Sequence, residues 1–375
     1  MSPKGSRPAI VSDVEKVLNK LAPPWLAQSW DNVGLLAGDR KAACKKVLLC
    51  IDLTSAVLDE AIAARCEFVF AYHPPIFRPI SRLVADAEGT EAIVHRAIAA
   101  GVAVYSSHTA LDAAAGGTND VLANLCGLRE VEPFEYATTG EPLCKVTTFV
   151  PEAQLEQVAQ ALFAAGAGRI GDYEQCSYRL KGEGTFFGTE GTNPRLGRKG
   201  RLEKVAEVRL EVVAPQDRLA EVVAALRGSH PYEEPAFDVY PLLGEPVRGI
   251  GRVGALPAGT TLGGLLARLV RSTGSKVATR VGAAGTRVRQ AAVCAGAAGR
   301  LPFEKARAAA CDLIVTGEIR HHDALAILRN GKTAIALGHW ESERPVLEPL
   351  GRRLADQLPK LRVMVSRADT GPIER

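Results

Sequence analysis

Residues 67–77 read EFVFAYHPPIF, and this stretch decides the fold. Phe68, Val69, Phe70 and Ala71 run into Tyr72 and His73, and Pro74 and Pro75 then bar any continuation. A short apolar run closed by proline reads as a strand buried on both faces in a parallel sheet. Pro74 pushes His73 out of helical backbone, so the chain turns there. His73 therefore sits at the carboxyl end of a buried strand, where open α/β sheets place their ligand crevice.

Two other stretches repeat the arrangement. Residues 101–108, GVAVYSSH, end in His108, with Asp112 four positions on. Residues 333–339, TAIALGH, end in His339, with Glu343 four positions on. If the three strands are parallel neighbours, three imidazoles and two carboxylates meet on one rim. That mixed nitrogen and oxygen set suits Zn, Mn, Fe or Co better than calcium, and its lack of cysteine argues against a closed structural zinc site. Taken singly, each histidine also reads as a hydrogen-bonded strand-end residue. The repeated His-x-x-x-acid spacing is what favours a metal site.

Outward from this core, 47–53 reads as a strand, 54–65 as a helix capped by Thr54, and 67–72 as the next strand, which is a βαβ unit. Asp52 ends its strand within reach of the rim. The spacing over 10–21 predicts a helix with Ser12 as N-cap and Glu15 completing a capping box. Asp31 and Asn32, inside the apolar run WDNVGL, are either a simple turn or a second approach to the rim. A helix over 90–100 carries His95, read as a surface or packing residue.

From about residue 140 the pattern changes. Strands over 145–150, 173–180, 184–187, 206–213 and 236–241, with helices over 152–165 and 216–227, follow the βαββαβ order of a ferredoxin-like unit. The loop 195–204, RLGRKGRLEK, holds five basic residues in ten. It reads as a solvated hairpin tip, or else as an anion-binding arm. Beyond 244–254 the α/β pattern resumes with a helix over 262–271 and strands over 289–294 and 312–316. The loop 295–299, AGAAG, is a tight turn or a phosphate cradle of backbone N–H groups. His321 and His322 open the next helix, where neighbours diverge, so at most one edges the site.

The expected organisation is thus residues 1–138 and 246–375 folding together as one metal-binding α/β domain, with 139–245 inserted. The proposed ligands come from both outer segments. With 375 residues, 47% hydrophobic, 23% charged and a net charge of +4, composition is that of an ordinary globular protein and makes no case for nucleic acid or a membrane. Eight cysteines without a C-x-x-C pair fit reduced thiols. There is no signal peptide and no 18-residue apolar span, so a cytoplasmic location is expected.

The motifs WDNVGL, YHPPIF, SSHTALDA, HPYEEPAFDVYPL, VTGEIRHHDA and GHWESE resemble those of the Nif-three-like family, also called the GTP cyclohydrolase 1 type 2 or dinuclear-metal-centre hexamer family. They span Trp30 to Glu343. The resemblance implies an α/β/α sandwich with two divalent metal ions per chain, assembled as a homohexamer, and a middle domain like the PII and CutA proteins. By motif, His73 and His339 are ligands of one metal, Asp112 of the other, Glu343 the bridge, and His108 a further ligand or a neighbour of one. Many members carry His-His where this chain has Tyr72-His73; others share the Tyr-His form.

The resemblance implies opening of the guanine ring of GTP by water; from their place near the rim, Glu318 or His322 is read as a proton shuttle for that step. A divalent cation acidifies its bound water to a pKa of about 7, which suits that chemistry. A phosphohydrolase using the same ions, or a metal-stiffened regulatory protein whose insert senses a small molecule, are the alternatives.

Overall fold

The run 67–77 forms the strand Phe68–Ala71, with all four residues fully buried. This computed structural model describes residues 8–84, 89–137, 142–243 and 249–373. The chain divides into two compact units, residues 1–137 with 246–375, and residues 138–245.

The larger unit contains two principal sheets. In the first, the order is Gly34–Ala37, Ala103–Ser106, Phe68–Ala71, Lys46–Cys50 and Arg362–Val365, all parallel except the antiparallel Gly34–Ala37. Side chains alternate across it, as a strand's period of two requires. Val47 and Leu49 pack with Val14 and Leu18 of helix Val11–Leu21 and Leu350 and Leu354 of helix Leu347–Gln357. Leu48 and Cys50 pack on the other face with Val57 and Leu58 of helix Ser55–Ala63 and Ala97 of helix Thr90–Ala99. Each such valine or leucine contributes roughly 1.5–3 kcal/mol on full burial.

The second sheet runs Thr279–Val281, Thr333–Ala336, Leu313–Thr316, Gln290–Cys294, Arg252–Ala255 and Arg129–Glu132. Leu313, Val315 and Ile335 face Leu262, Leu265 and Leu269 of helix Leu262–Thr273. Ile314 and Ala334 face Ile327 of helix His321–Arg329. Both sheets are therefore covered by helices on two faces, giving the α/β/α layering. The two chain segments also interlock: Arg362–Val365 completes the first sheet and Arg129–Glu132 edges the second.

One expectation needs correction. His73 and His108 follow neighbouring strands of the first sheet, but His339 follows a strand of the second. A run buried on both faces has the same composition in either sheet, so nothing in it states which sheet it joins.

The smaller unit is a four-stranded antiparallel sheet in the order Phe237–Pro241, Leu143–Pro151, Leu202–Pro215 and Tyr178–Phe187. Helices Leu155–Ala164 and Leu219–Ser229 cover one face through Val158, Leu162, Val222 and Leu226. This is the ferredoxin-like arrangement. The two short strands expected over 173–180 and 184–187 are one, running through Gly182 and Gly184 without a break. Residue-by-residue pairing with the 14-residue strand Leu202–Pro215 outweighs the weakness two glycines bring.

Local signals also differ in detail. Thr54 caps its helix, accepting from the Val57 N–H at 3.3 Å. At the helix Val11–Leu21 the cap box is made differently: Asp13 accepts from the Ile10 N–H at 3.0 Å, Ser12 lies inside the first turn, and Glu15 holds Arg40 at 2.8 Å. Among the described residues no helix is long and apolar enough to cross a membrane.

Candidate metal centre

Glu343 closes the short helix His339–Glu343 and is 3% exposed. Its Oε1 lies 3.2 Å from His339 Nε2 and its Oε2 lies 3.2 Å from His73 Nε2. The pair His339 and Glu343 faces one way because residues four apart stack on a helix. His73 arrives from the other sheet, and its ring centroid is 5.3 Å from that of His339. The ligand atoms of these three residues all lie within 4.8 Å of one another.

Each imidazole is oriented from behind. His73 Nδ1–H donates to Asp52 at 2.9 Å and His339 Nδ1–H donates to Glu318 at 2.8 Å. Carboxylates only accept when ionised, so Nδ1 carries a proton in each ring and both Nε2 atoms face Glu343, where they are protonated without a metal and would offer lone pairs to one. The surroundings favour positive charge. Burial alone would lower the His73 pKa, yet Asp52 and Glu343 carry it up to about 10. Glu343 pulls His339 up to about 9 against its burial. Burial would raise the Glu343 carboxyl, and the two imidazoles hold it below its usual range instead.

His108 and Asp112 flank this group without joining it. His108 sits with φ +26° between strand Ala103–Ser106 and its own helix, a conformation non-glycine residues rarely adopt. Its Nδ1–H donates to Asp31 at 2.8 Å, and its ring lies 5.4 Å from that of His73. Asp31 also accepts from the Thr109 backbone N–H at 3.1 Å; burial opposes its charge, but His108 and Thr109 keep its pKa below normal. The fully buried Tyr72 donates its hydroxyl to Asp112, and burial and that carboxylate drive the phenol pKa far up. Asp112 is itself raised to about 6 by burial and by the Glu343 charge.

The residues fit a divalent cation on three counts. Glu343 Oε2 is buried without a hydrogen bond, although His73 Nε2 is near it. The donor set mixes imidazole nitrogen with carboxylate oxygen, which suits Zn, Mn, Fe or Co. Gly296 leaves the floor open: a Cβ there would stand 2.4 Å from Glu343 Oε1 and 3.2 Å from His339 Nε2.

That glycine settles the role of the loop 295–299. The Gly296 N–H donates to Ser342 Oγ at 2.8 Å, and the following helix Leu301–Glu304 is four residues long. The loop forms a wall of this centre.

The profile of the Duf34/NIF3 (NGG1p interacting factor 3) family matches residues 9–372. The chain belongs to the Duf34/NIF3 family. It is 37% identical to a Halalkalibacterium halodurans protein named GTP cyclohydrolase 1 type 2 homolog, over 96% of this chain and 97% of that one. A Mycobacterium tuberculosis protein of the same name is 40% identical over 89% and 88%. Among solved structures, a Bacillus cereus protein related to NIF3 has a TM-score of 0.69 at 32% identity, covering 99% of this chain and 100% of that chain. A Staphylococcus aureus protein has a TM-score of 0.79 at 25% identity with the same coverage.

In this NIF3-family chain the structure brings His73, His339 and Glu343 together, with His108 and Asp112 beside them. Glu318 stands at the rim on His339. His321 and His322 are both exposed and do not diverge; their rings meet edge to face at 5.4 Å. Gly296, Asn119 and Asp369 escaped the sequence reading. Asn119 accepts from the Ala295 N–H at 2.9 Å and donates to the Asp112 carbonyl at 3.0 Å, tying the two outer segments together. Asp369 accepts from the Ile51 N–H at 2.8 Å and from Trp340 Nε1 at 3.0 Å. An asparagine on the buried face of helix Thr118–Leu125, beside Leu122 and Ala123, was the available signal for Asn119.

Proposed function

We propose that this NIF3-family chain is a dinuclear-metal-dependent hydrolase acting on a nucleotide, with GTP ring opening as the reaction. The observation that carries the reading is Glu343, a buried carboxylate held between two imidazoles whose tautomers are fixed by Asp52 and Glu318. The name GTP cyclohydrolase 1 type 2 homolog carried by its relatives supports GTP as the substrate.

His73 and His339 would hold one ion, Asp112 and His108 would serve the other, and Glu343 would serve both. Bound divalent cations supply an acidified water at neutral pH. The protein's own work is positional. Asp52, Glu318 and Asp31 keep three imidazoles in the tautomer that offers Nε2. Tyr72, kept protonated by burial, holds Asp112 through its hydroxyl. Glu318 is 53% exposed on its side chain and so can pass a proton from the rim to solvent while it steadies His339. His322 serves the same shuttle role from the solvent side. The chain works as a homohexamer in this reading, with residues 139–245 as an inserted domain.

Metal-loaded protein incubated with GTP tests this. A fluorescent pterin-like product is expected. Free phosphate without ring opening would make it a phosphohydrolase, and neither product would leave a metal-binding regulatory protein.

A further inference from the structure

Trp30 is 59% exposed and Phe77 is 47% exposed, beside the candidate metal centre. Their rings meet edge to face with centroids 6.1 Å apart, and Trp30 meets the His108 ring at the same 6.1 Å. Both belong to segments that carry the site. Trp30 immediately precedes Asp31, which holds His108, and Phe77 follows His73 by four residues.

These rings are not on loose loops. Gln28 N–H donates to Thr109 Oγ1 at 3.0 Å, and Asp31 accepts from the Thr109 N–H at 3.1 Å, so Trp30 is pinned on both sides to the same residue. Asp31 N–H also closes the turn onto the Gln28 carbonyl at 3.0 Å. Asn32 Nδ2 donates to the Ile76 carbonyl at 2.5 Å, which ties the Trp30 segment to the Phe77 segment. A large apolar surface held rigidly in water brings nothing to the fold; such surfaces mark contact with a ligand or partner. The two rings are set at 65° to one another, so each presents a face of its own, and a planar heterocycle is the ligand that stacks on such a face.

We propose that Trp30 and Phe77 form a stacking wall that holds the planar heterocyclic ring of the substrate beside His108, against the metal group. The inference rests on the nucleotide reading above and adds which part of the nucleotide is recognised and where. Stacking is tolerant of base identity, so the wall orients a purine ring without by itself selecting guanine.

Calorimetric titration of the full metal-loaded chain with guanosine and separately with inorganic triphosphate tests the wall without requiring turnover, with wild-type tryptophan emission as a second readout. Guanosine should quench the emission of the wild type. In Trp30→Ala guanosine affinity should fall about tenfold or more, the change that loss of one base–aromatic stack brings. Trp30→Phe should restore most of it, and triphosphate binding and metal content should be the same in all three proteins. Equal guanosine affinity in wild type and Trp30→Ala overturns the wall, as does no rescue by phenylalanine. Emission from Trp30 that acrylamide cannot reach would also overturn it, because a second copy of the chain would then cover the ring. Pterin formation is scored separately. Product with Trp30-independent affinity removes the wall and keeps the reaction, whereas Trp30-dependent affinity without product does the reverse.

Discussion

Glu343 concentrates the chemistry of this molecule in one side chain. It is buried, ionised and within 3.2 Å of two imidazole nitrogens from different sheets. If it reaches both ions, Glu343→Ala removes a ligand from each, and metal analysis should find that variant emptier than His339→Ala. Unchanged stoichiometry in Glu343→Ala would end the bridging role. Gly296 makes a sharper test of the floor. Its φ is +62°, and any Cβ would collide with Glu343 Oε1. Gly296→Ala should cost about 1–3 kcal/mol in thermal or chemical unfolding, from backbone strain alone, and should lower metal content besides. A Gly296→Ala protein with full metal content would show that the floor has room to give.

Tyr72 belongs at the same scale. By resemblance to the family, this is the position where many members carry a second imidazole and this chain does not. The structure adds that the phenol is protonated and bonded to Asp112. A second ion on that side, as proposed, would depend on oxygen donors with His108 as the one nitrogen. Mild chelation should release one ion per chain well before the other, and Tyr72→His should narrow the interval. Simultaneous release from the wild type, unaltered in Tyr72→His, would place position 72 outside the ligand set.

At the scale of elements, the strands that carry the site were legible because their apolar runs end at histidine and a turn. Phe68–Ala71, Ala103–Ser106 and Thr333–Ala336 all lie inside the expected spans. Their assignment to two sheets was not legible, since it depends on Arg362–Val365 and Arg129–Glu132 crossing between segments far apart in sequence. Of the groups behind the ligands, Asp52 could be anticipated from its strand end. Gly296 could not, because its meaning comes from a side chain 47 positions away that only the fold brings near.

The segment after helix Leu219–Ser229 shows the same limit and yields a pH prediction. The HPYEEP motif fixes a turn: Tyr232 N–H donates to His230 Nδ1 at 3.1 Å, so the proton sits on Nε2 and is donated to the Phe149 carbonyl at 3.0 Å. Tyr232 then donates its hydroxyl to Glu207 at 2.6 Å. Charging His230 would put a second proton where Tyr232 N–H now points. Burial lowers the His230 pKa below its ordinary 6.5, with the Phe149 carbonyl opposing in part. The unfolded chain therefore takes up the proton more readily than the folded one. Stability from this group is complete above about pH 6.5 and is lost as pH falls toward the folded value. The unfolding midpoint of the smaller unit should drop on acidification from pH 7.5 to 5, and His230→Gln should flatten that slope. An equal slope in the variant would mean that other groups carry it.

For the whole molecule, the insertion leaves a clean seam. The strands Glu135–Tyr136 and Gly249–Ile250 pair antiparallel within the larger unit, so the chain departs and returns side by side. His73, His108, Asp112, His339 and Glu343 all lie outside residues 138–245. Replacing about residues 140–245 by a short flexible linker should leave metal stoichiometry intact. A folded deletion variant without metal would show that the insert helps build the centre.

The crossing of Arg362–Val365 into the first sheet also sets a schedule for biosynthesis. Lys46–Cys50 leaves the ribosome early, but the strand that covers its free side is made more than three hundred residues later. At 5–20 residues per second, that flank stays uncovered for roughly 15–60 s. An open row of backbone donors and acceptors on a strand of Val, Leu and Cys is a template for pairing with a neighbouring nascent chain. Dense polysomes are thus the most hazardous setting for this protein, and a chaperone that shields residues 46–50 until residue 365 emerges would raise the yield of folded chains more than one acting after release.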